Sequence, residues 1–298
     1  MSLTCSIGVM AYNEQANIGQ LLGSLISQRS CSVTPREIIV VASGCTDGTQ
    51  SIVQDSAKRD ARVRLLVQRR REGKASAINE YLRSTTENIV VLCSADLVPS
   101  ETAIEELVTP FSDVEVGITC ARPVPVNDPT TFMGFAAHML WNLHHEINLM
   151  SFKAGEMIAF RRIFQRIPYD TVVDEASIEP VIRAQGYKVR YVPSAIVFNK
   201  GPDTVRDFME QRRRIYSGHL AVRRVLGYTV STMNSWRALR IVLRSLDWRP
   251  KPFLWTWGVA GLEAYCRFLG RRDYKNRRDH RIWEIASTTK EVKLKQSA

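Results

Sequence analysis

The chain has 298 residues, 45% of them hydrophobic, which leaves room for one large domain, or one domain with an appendage, and no more. Six cysteines, Cys5, Cys31, Cys45, Cys93, Cys120 and Cys266, show no C-x-x-C and no pairing rhythm, so a disulfide framework is excluded in favour of free thiols in a reducing compartment. The net charge of +11 is uneven: 22 Lys and Arg stand against 9 Asp and Glu from Lys200 onward, a net +13, so the first 199 residues carry about −2.

The first residues read as a strand rather than a secretory signal. That strand, Cys5 to Met10, ends in Ala11-Tyr12-Asn13-Glu14. A helix is expected over 14–28, with Ile18, Leu21, Leu22, Leu25 and Ile26 on one face. A strand over 33–41 ends in Ala42-Ser43-Gly44-Cys45-Thr46-Asp47-Gly48-Thr49, and a helix follows over 49–60 with Thr46 or Asp47 as its cap. A short strand over 63–67, a helix over 74–84, a strand over 89–93 ending in Ser94-Ala95-Asp96, and a helix beginning at Glu101 complete an alternation of strands and helices. Such alternation predicts a parallel sheet with helices on both faces and all strand C-termini on one edge. Open sheets of this kind bind ligands at that edge.

Further along, the pattern predicts a strand over 116–121, an apolar helix over 132–150 carrying His138, His144 and His145, and a strand over 154–161 that crosses the sheet. A helix over 177–185 with Gly186 as its C-cap and a strand over 187–192 follow. A long basic helix covers 203–226, and half-apolar helical sequence extends to about Leu269, with a charged tail from Gly270. Internal repeats and low-complexity tracts are absent from the sequence.

Several polar residues admit two readings. Asn13 suits a helix cap and Glu14 suits the helix dipole, yet both end a buried strand at the ligand edge. Asp47 reads better as a cap than as a ligand. Arg69, Arg70, Arg71 and Lys74 form either a solvated basic loop or a phosphate contact. Asp96 lies just past a buried strand, which favours a functional role over a plain turn. Asp174 and Glu175 are either an exposed acidic helix start or reactive carboxylates. His138, His144, His145 and His219 lack acidic or cysteine partners at metal spacing and read as structural.

The motifs together resemble the inverting family 2 glycosyltransferases with the GT-A fold, over residues 5 to about 220. They are Tyr12-Asn13-Glu14, the loop from Ser43 to Thr49, Gly73-Lys74-Ala75-Ser76-Ala77-Ile78-Asn79, Ser94-Ala95-Asp96, Gly155 with Phe160-Arg161-Arg162, Asp174-Glu175, Gly186-Tyr187 with Val192-Pro193, and Gln211-Arg212-Arg213-Arg214. The resemblance implies an α/β fold with a Rossmann-like, mostly parallel sheet flanked by helices, and a helical basic C-terminal extension. It implies a nucleotide-diphospho-sugar donor, UDP-sugar favoured, bound by Ala11, Tyr12, Glu14, Ser43, Lys74, Ser94, Ala95, Asp96, Gln211 and Arg214. It implies Mn2+ or Mg2+ on Asp96, and a general base at Glu175 or Asp174, since the family's usual Glu-Asp order is swapped here. The chain departs from the family pattern in three places. Ala42 and Ser43 stand where two acidic residues are usual, Ser94 replaces the first Asp of Asp-x-Asp, and Ile215 replaces the tryptophan of Gln-x-x-Arg-Trp.

The C-terminal third carries Trp236, Trp248, Trp255, Trp257 and Trp283 among its basic residues. Arg and Lys interleaved with Trp suit a phospholipid headgroup surface or a phosphate-bearing substrate, and no nucleic-acid motif accompanies them. The stretches 236–244 and 252–270 are too short and too charged to span a bilayer, and read as amphipathic helices. The expected division is a catalytic domain over 1–220 and a basic amphipathic region over 221–298. The expected partners are the donor, a glycan or glycolipid acceptor and a membrane surface touched peripherally, not a nucleic acid, with homo-oligomerisation left open. The expected place is the cytoplasm, on the inner face of the membrane, in cell-envelope or polysaccharide biosynthesis. The alternative is a degenerate relative that serves as a membrane-docking or partner-binding subunit.

Overall fold

In β1 (Leu3–Ala11), Ile7 and Val9 face one packing layer while Gly8 and Met10 face the other. The same period-two alternation runs through β2 (Val33–Ser43), where Ile38 and Val40 oppose Ile39 and Val41, and through β4 (Ile89–Ser94), where Val91 and Cys93 oppose Val90 and Leu92. Strands apolar on both sides need cover on both faces. On one face α1 (Ile18–Ile26) and α2 (Thr49–Arg59) supply it through Ile18, Leu21, Leu22, Leu25 and Val53. On the other, α3 (Lys74–Ser84) packs Ile78, Tyr81 and Leu82. Tyr81 lies over Gly8, where any Cβ would come within 2.5 Å of its ring, and its hydroxyl donates to the Ser6 carbonyl at 2.9 Å.

The chain is a computed structural model that describes residues 2–169, 171, 173–278, 289 and 292. With β3 (Val63–Gln68), the strands β3-β2-β1-β4 are all parallel, as the alternation predicts. The remaining elements are β5 (Leu97–Pro99), α4 (Ala103–Val108), β6 (Val116–Pro125), α5 (Phe132–Met150), β7 (Met157–Arg161), α6 (Asp174–Ala184), β8 (Lys188–Asn199), α7 (Val205–Leu226), α8 (Ser235–Arg244) and α9 (Pro250–Lys275). The sheet order is β3-β2-β1-β4-β7-β6-β8-β5. Only two residues separate β4 from β5, yet β5 pairs with β8 at the far end, so the sheet curls back on itself.

β7 runs antiparallel between β4 and β6, with Cys93 opposite Met157. That reversal brings the segment before β7 to the edge where the parallel strands end. Several sequence expectations change: β6 runs on to Pro125, and β7 starts only at Met157. α1 begins at Ile18, because residues 14–17 form a turn anchored by Thr49 Oγ1 on Glu14 N at 2.8 Å and Asp47 Oδ2 on Gln15 N at 3.1 Å. β8 continues past Pro193 to Asn199, because the register jumps from Tyr191 to Ile196 and leaves the proline in a bulge. α9 runs through Gly270 to Lys275, so the charged tail does not start at that glycine.

Gly270 marks where α9 presses on α7: a Cβ there would lie 2.6 Å from the Arg213 carbonyl oxygen. Around this crossing Phe208, Val259 and Cys266 pack with Met133 and Ala136 of α5 in a small separate core. α7 itself is continuous across residue 220.

Candidate active site

A cavity of about 1060 Å³ opens at the strand C-termini and extends beneath α7. Every residue that the resemblance assigns to the donor, the metal or the base lines it: Ala11, Tyr12, Glu14, Ser43, Lys74, Ser94, Ala95, Asp96, Asp174, Glu175, Gln211 and Arg214. Ala11, Ser43 and Ser94 are the last residues of β1, β2 and β4, so the parallel sheet alone brings three of the loops together.

The wall formed by the first two loops is held by reciprocal side-chain bonds. Asn13 adopts a left-handed backbone (φ 51°), and its Oδ1 accepts from Thr46 N at 2.8 Å. Gln15 Oε1 accepts from Gly48 N at 2.9 Å, and Asp47 accepts from Thr49 N at 3.0 Å. The cap position of α2 falls to Gly48, and Asp47, one residue before it, braces the first turn by accepting from Thr49 rather than serving as the cap; Asn13 is likewise a loop clamp rather than the cap of α1. Buried Glu14 accepts from Asn17 Nδ2 at 3.0 Å. Ser43 makes long contacts to the next loop, with Glu72 N donating at 3.4 Å and its own hydroxyl reaching Arg70 O at 3.5 Å. The Arg71 guanidinium lies 3.9 Å above the Tyr12 ring centroid, which leaves a flat cation–aromatic surface at the mouth.

Across the cavity α6 begins with Asp174 and Glu175, three residues earlier than the sequence predicts. Lys74, the first residue of α3, bridges both: Nζ stands 2.9 Å from Asp174 Oδ2 and 2.8 Å from Glu175 Oε1. Burial opposes the charge on Lys74, but the two carboxylates outweigh it and hold the ammonium well above its ordinary range. Burial pushes the Asp174 carboxyl up, Lys74 draws it back, and Glu175 adds to the rise. The Asp174 side chain is 4% exposed and that of Glu175 is 21% exposed, so Glu175 is the more accessible of the two from the cavity. The loop before α6 is pinned by Asn79, whose amide donates to Ile167 O at 3.0 Å and accepts from Ile167 N at 2.7 Å.

All three consecutive arginines on α7 line the cavity, but two of them are paired with α9. Arg212 forms a fork on Glu263 of α9 (2.7 and 2.8 Å), and Arg213 forms one on Asp273 (both bonds 2.7 Å). These forks tie α7 to α9. Arg214 faces the carboxylates: burial lowers its guanidinium to about 10, while Asp174, Glu156, Glu175 and Asp96 pull the other way.

Sequence reasoning missed Glu156 and Lys153, which reach the cavity because β7 runs backwards. Burial, with Asp96 and Glu175 nearby, pushes Glu156 up to about 7. His144 and His219, read as structural, also line the cavity. His138 and His145 do not, and bond instead to Asn127 O at 3.0 Å and the Tyr191 hydroxyl at 2.8 Å. The apolar run after Gly155 was the available signal for Glu156, but it did not reveal which way the strand points.

Among the described residues, no group of three or more His, Cys, Asp or Glu could hold a metal unaided. Asp96 offers one carboxylate, with Glu156 close enough to feel its charge. This donor set fits a hard divalent ion that takes the rest of its oxygens from phosphates, and does not fit an all-protein metal cage.

Residues 6–179 match the family model described as glycosyl transferase family 2. Among curated proteins, the chain is 21% identical over 235 residues to a poly-beta-1,6-N-acetyl-D-glucosamine synthase of Staphylococcus aureus, and 24% identical over 240 residues to that of Staphylococcus epidermidis. Each match covers 74% of this chain and 56% of the relative, so the chain spans little more than half the length of those proteins. Among solved structures, a mannosyltransferase of Pyrobaculum calidifontis in complex with GDP-Man and Mn2+ superposes with a TM-score of 0.65 at 21% identity, covering 93% of this chain and 88% of that one. Glucosyl-3-phosphoglycerate synthase of Mycobacterium tuberculosis, in complex with Mn2+, UDP and phosphoglyceric acid, gives 0.52 at 20% identity, covering 74% and 78%. These two likenesses show the GT-A fold.

Proposed function

The chain belongs to glycosyl transferase family 2, and from that premise we propose that it transfers a sugar, with inversion, from a nucleotide-diphospho-sugar to a hydroxyl of a glycan or lipid-linked acceptor. The observation that carries this reading is one cavity with two unlike walls: strand-end loops bearing Tyr12, Ser43 and Asp96 on one side, and the Lys74-bridged carboxylates of α6 on the other. Glu175, the more exposed carboxylate, takes the proton of the acceptor hydroxyl as that oxygen attacks the anomeric carbon. The new glycosidic C–O bond forms on the face opposite the breaking bond to the diphosphate, which departs with the bonding electrons. Lys74 and Arg214 stand where they would offset the charge on the departing diphosphate. Mn2+ or Mg2+ bound at Asp96 would act as a Lewis acid toward the same phosphates. The hydroxyl at position 43 could both donate to and accept from a nucleobase, where a carboxylate only accepts, so it does not itself select the base; UDP-sugars are the donors that the family resemblance favours.

Ile215 packs with Val173, Ala176 and Val222 under α6, which favours a single transfer over a polymer channel. Among the described residues, no helix is long and apolar enough to cross a membrane. α8 nevertheless exposes Trp236, Leu239 and Leu243 beside the side that carries Arg237, Arg240 and Arg244, and Trp248 follows it 79% exposed. These features support peripheral contact with an anionic membrane face, as a cytoplasmic enzyme of envelope or polysaccharide synthesis would need. Trp283 lies outside the described residues, and Trp255 is packed edge-on against Phe132 and Phe135. A thermal-shift screen of UDP- and GDP-sugars with and without Mn2+ tests the reading. A manganese-dependent rise with at least one donor is expected, and silence with every donor would sink it.

A further inference from the structure

The cavity continues past the carboxylates to an end of opposite sign. Lys153 from the α5–β7 connection, His144 from α5, Arg212 and His219 from α7, and Arg267 from α9 all line it there. Asn148 sets the first two in place: its Oδ1 accepts from Lys153 N at 2.7 Å, and its Nδ2 lies 3.2 Å from the His144 ring. The loop beyond Lys153 lies against that same ring, since a Cβ on Gly155 would come 3.2 Å from His144 Cε1. Glu179 holds the loop from below, accepting from Ala154 N at 3.3 Å.

The charges at this end do not cancel. Arg212 and Arg267 share the single carboxylate of Glu263, at 2.7 and 3.0 Å. The Lys153 ammonium has no ion pair or hydrogen bond among the described residues. Burial and then Arg212 draw it down to about 8. Burial, with Lys153 the next cause, pushes both His144 and His219 well below their usual range, so at neutral pH each is an uncharged ring that can donate one N–H. A half-buried cation that no carboxylate among the described residues pairs is a position that an anionic ligand can complete.

Resting on the transferase reading above, we propose that this end of the cavity is an anion subsite for the acceptor. The acceptor carries a phosphate or carboxylate that seats on Lys153, with His144 and His219 as neutral donors. At the other end the four carboxyl groups of Asp96, Glu156, Asp174 and Glu175 outnumber Lys74 and Arg214, which disfavours an acceptor anion there without the help of a divalent cation. The cavity's polarity therefore sets the acceptor's direction: anion toward Lys153, hydroxyl toward Glu175.

Calorimetric titration of the full chain with inorganic phosphate, in the presence of saturating UDP and Mn2+ to fill the donor site, tests this. Wild type and Lys153→Arg should bind phosphate, and Lys153→Gln should bind it at least tenfold more weakly, with UDP affinity equal in all three. Phosphate affinity unchanged in Lys153→Gln, or phosphate displaced by UDP, would overturn the proposal. Should Lys153→Gln fail to fold, His219→Phe, which leaves the cations in place, is expected to weaken phosphate at least threefold, and no change there overturns it equally. Phosphate binding that follows Lys153 in a chain that ignores UDP would uphold the subsite while removing the transferase reading. Repeating the series with glycerol 3-phosphate and with phosphatidic acid vesicles assigns the anion to a soluble or a lipid acceptor, and Lys153 dependence in either arm supports the proposal.

Discussion

Lys74 Nζ stands 2.8 Å from Glu175 Oε1, although 101 residues separate the two in the chain. The same ammonium holds Asp174 at 2.9 Å. One cation thus neutralises two carboxylates at the start of α6. In the proposed mechanism it would also couple the donor-side loop to the acceptor-side carboxylate. A diphosphate arriving beside Lys74 competes for its charge, which would loosen Glu175 when a proton acceptor is needed.

Lys74→Met strips the ammonium from buried Asp174. The expected cost is about 3 kcal/mol, the usual scale for breaking a buried ion pair by removing one partner. Urea unfolding measures it. Adding Asp174→Asn to Lys74→Met should recover part of the loss, and simple additivity of the two changes would contradict the bridge.

Glu175→Gln should lower kcat by about 10²- to 10⁴-fold, the range for a lost general base, with donor affinity retained. Asp174→Asn should lower kcat less and should weaken the chain's stability, because that carboxylate is enclosed. Reversal of this order, read from steady-state transfer assays, would move the base to Asp174.

Much of this site was legible in the sequence because the parallel half of the sheet obeys simple rules. Strands such as Glu37 to Val41 and Ile89 to Cys93 are short apolar runs with polar ends, so their edge and the loops it gathers follow from the alternation alone. Glu156 and Lys153 escaped because nothing local says that β7 runs antiparallel. The three consecutive arginines on α7 are equivalent in sequence. Only the position of α9, with Glu263 and Asp273 about 50 and 60 residues away, separates the two arginines that pair with that helix from Arg214, which the site carboxylates act on. β5 is three residues long and its pairing with β8 is set by the curl of the sheet, which no local pattern encodes.

Glu263 supplies a pH test of the α7–α9 seam. Burial works against its charge, but Arg212 and Arg267 hold its carboxyl down to about 2. A depressed carboxylate contributes stability that is fully present above its unfolded value near 4.5 and is lost as pH falls toward 2. Glu263→Gln should therefore cost about 3 kcal/mol at neutral pH, and the gap to wild type should close progressively below pH 4.5. A gap that does not depend on pH would mean that the forked pair is not what holds the helices.

The exposed apolar strip of α8 gives a membrane prediction. Trp236→Ala with Leu243→Ser should reduce co-sedimentation with anionic vesicles about tenfold or more, by analogy with the loss of two buried anchors. Raised salt should weaken what remains, since the neighbouring arginines act through charge. Equal binding of the double variant and wild type would remove the α8 surface from the membrane account.

The most direct measurement is calorimetric titration of UDP into the wild-type chain and Asp96→Ala, each with and without Mn2+. Manganese should tighten UDP in wild type, and that gain should vanish in Asp96→Ala, with affinity at least tenfold weaker. UDP bound equally well by both proteins, or with no response to manganese in either, would contradict a nucleotide site built around that carboxylate.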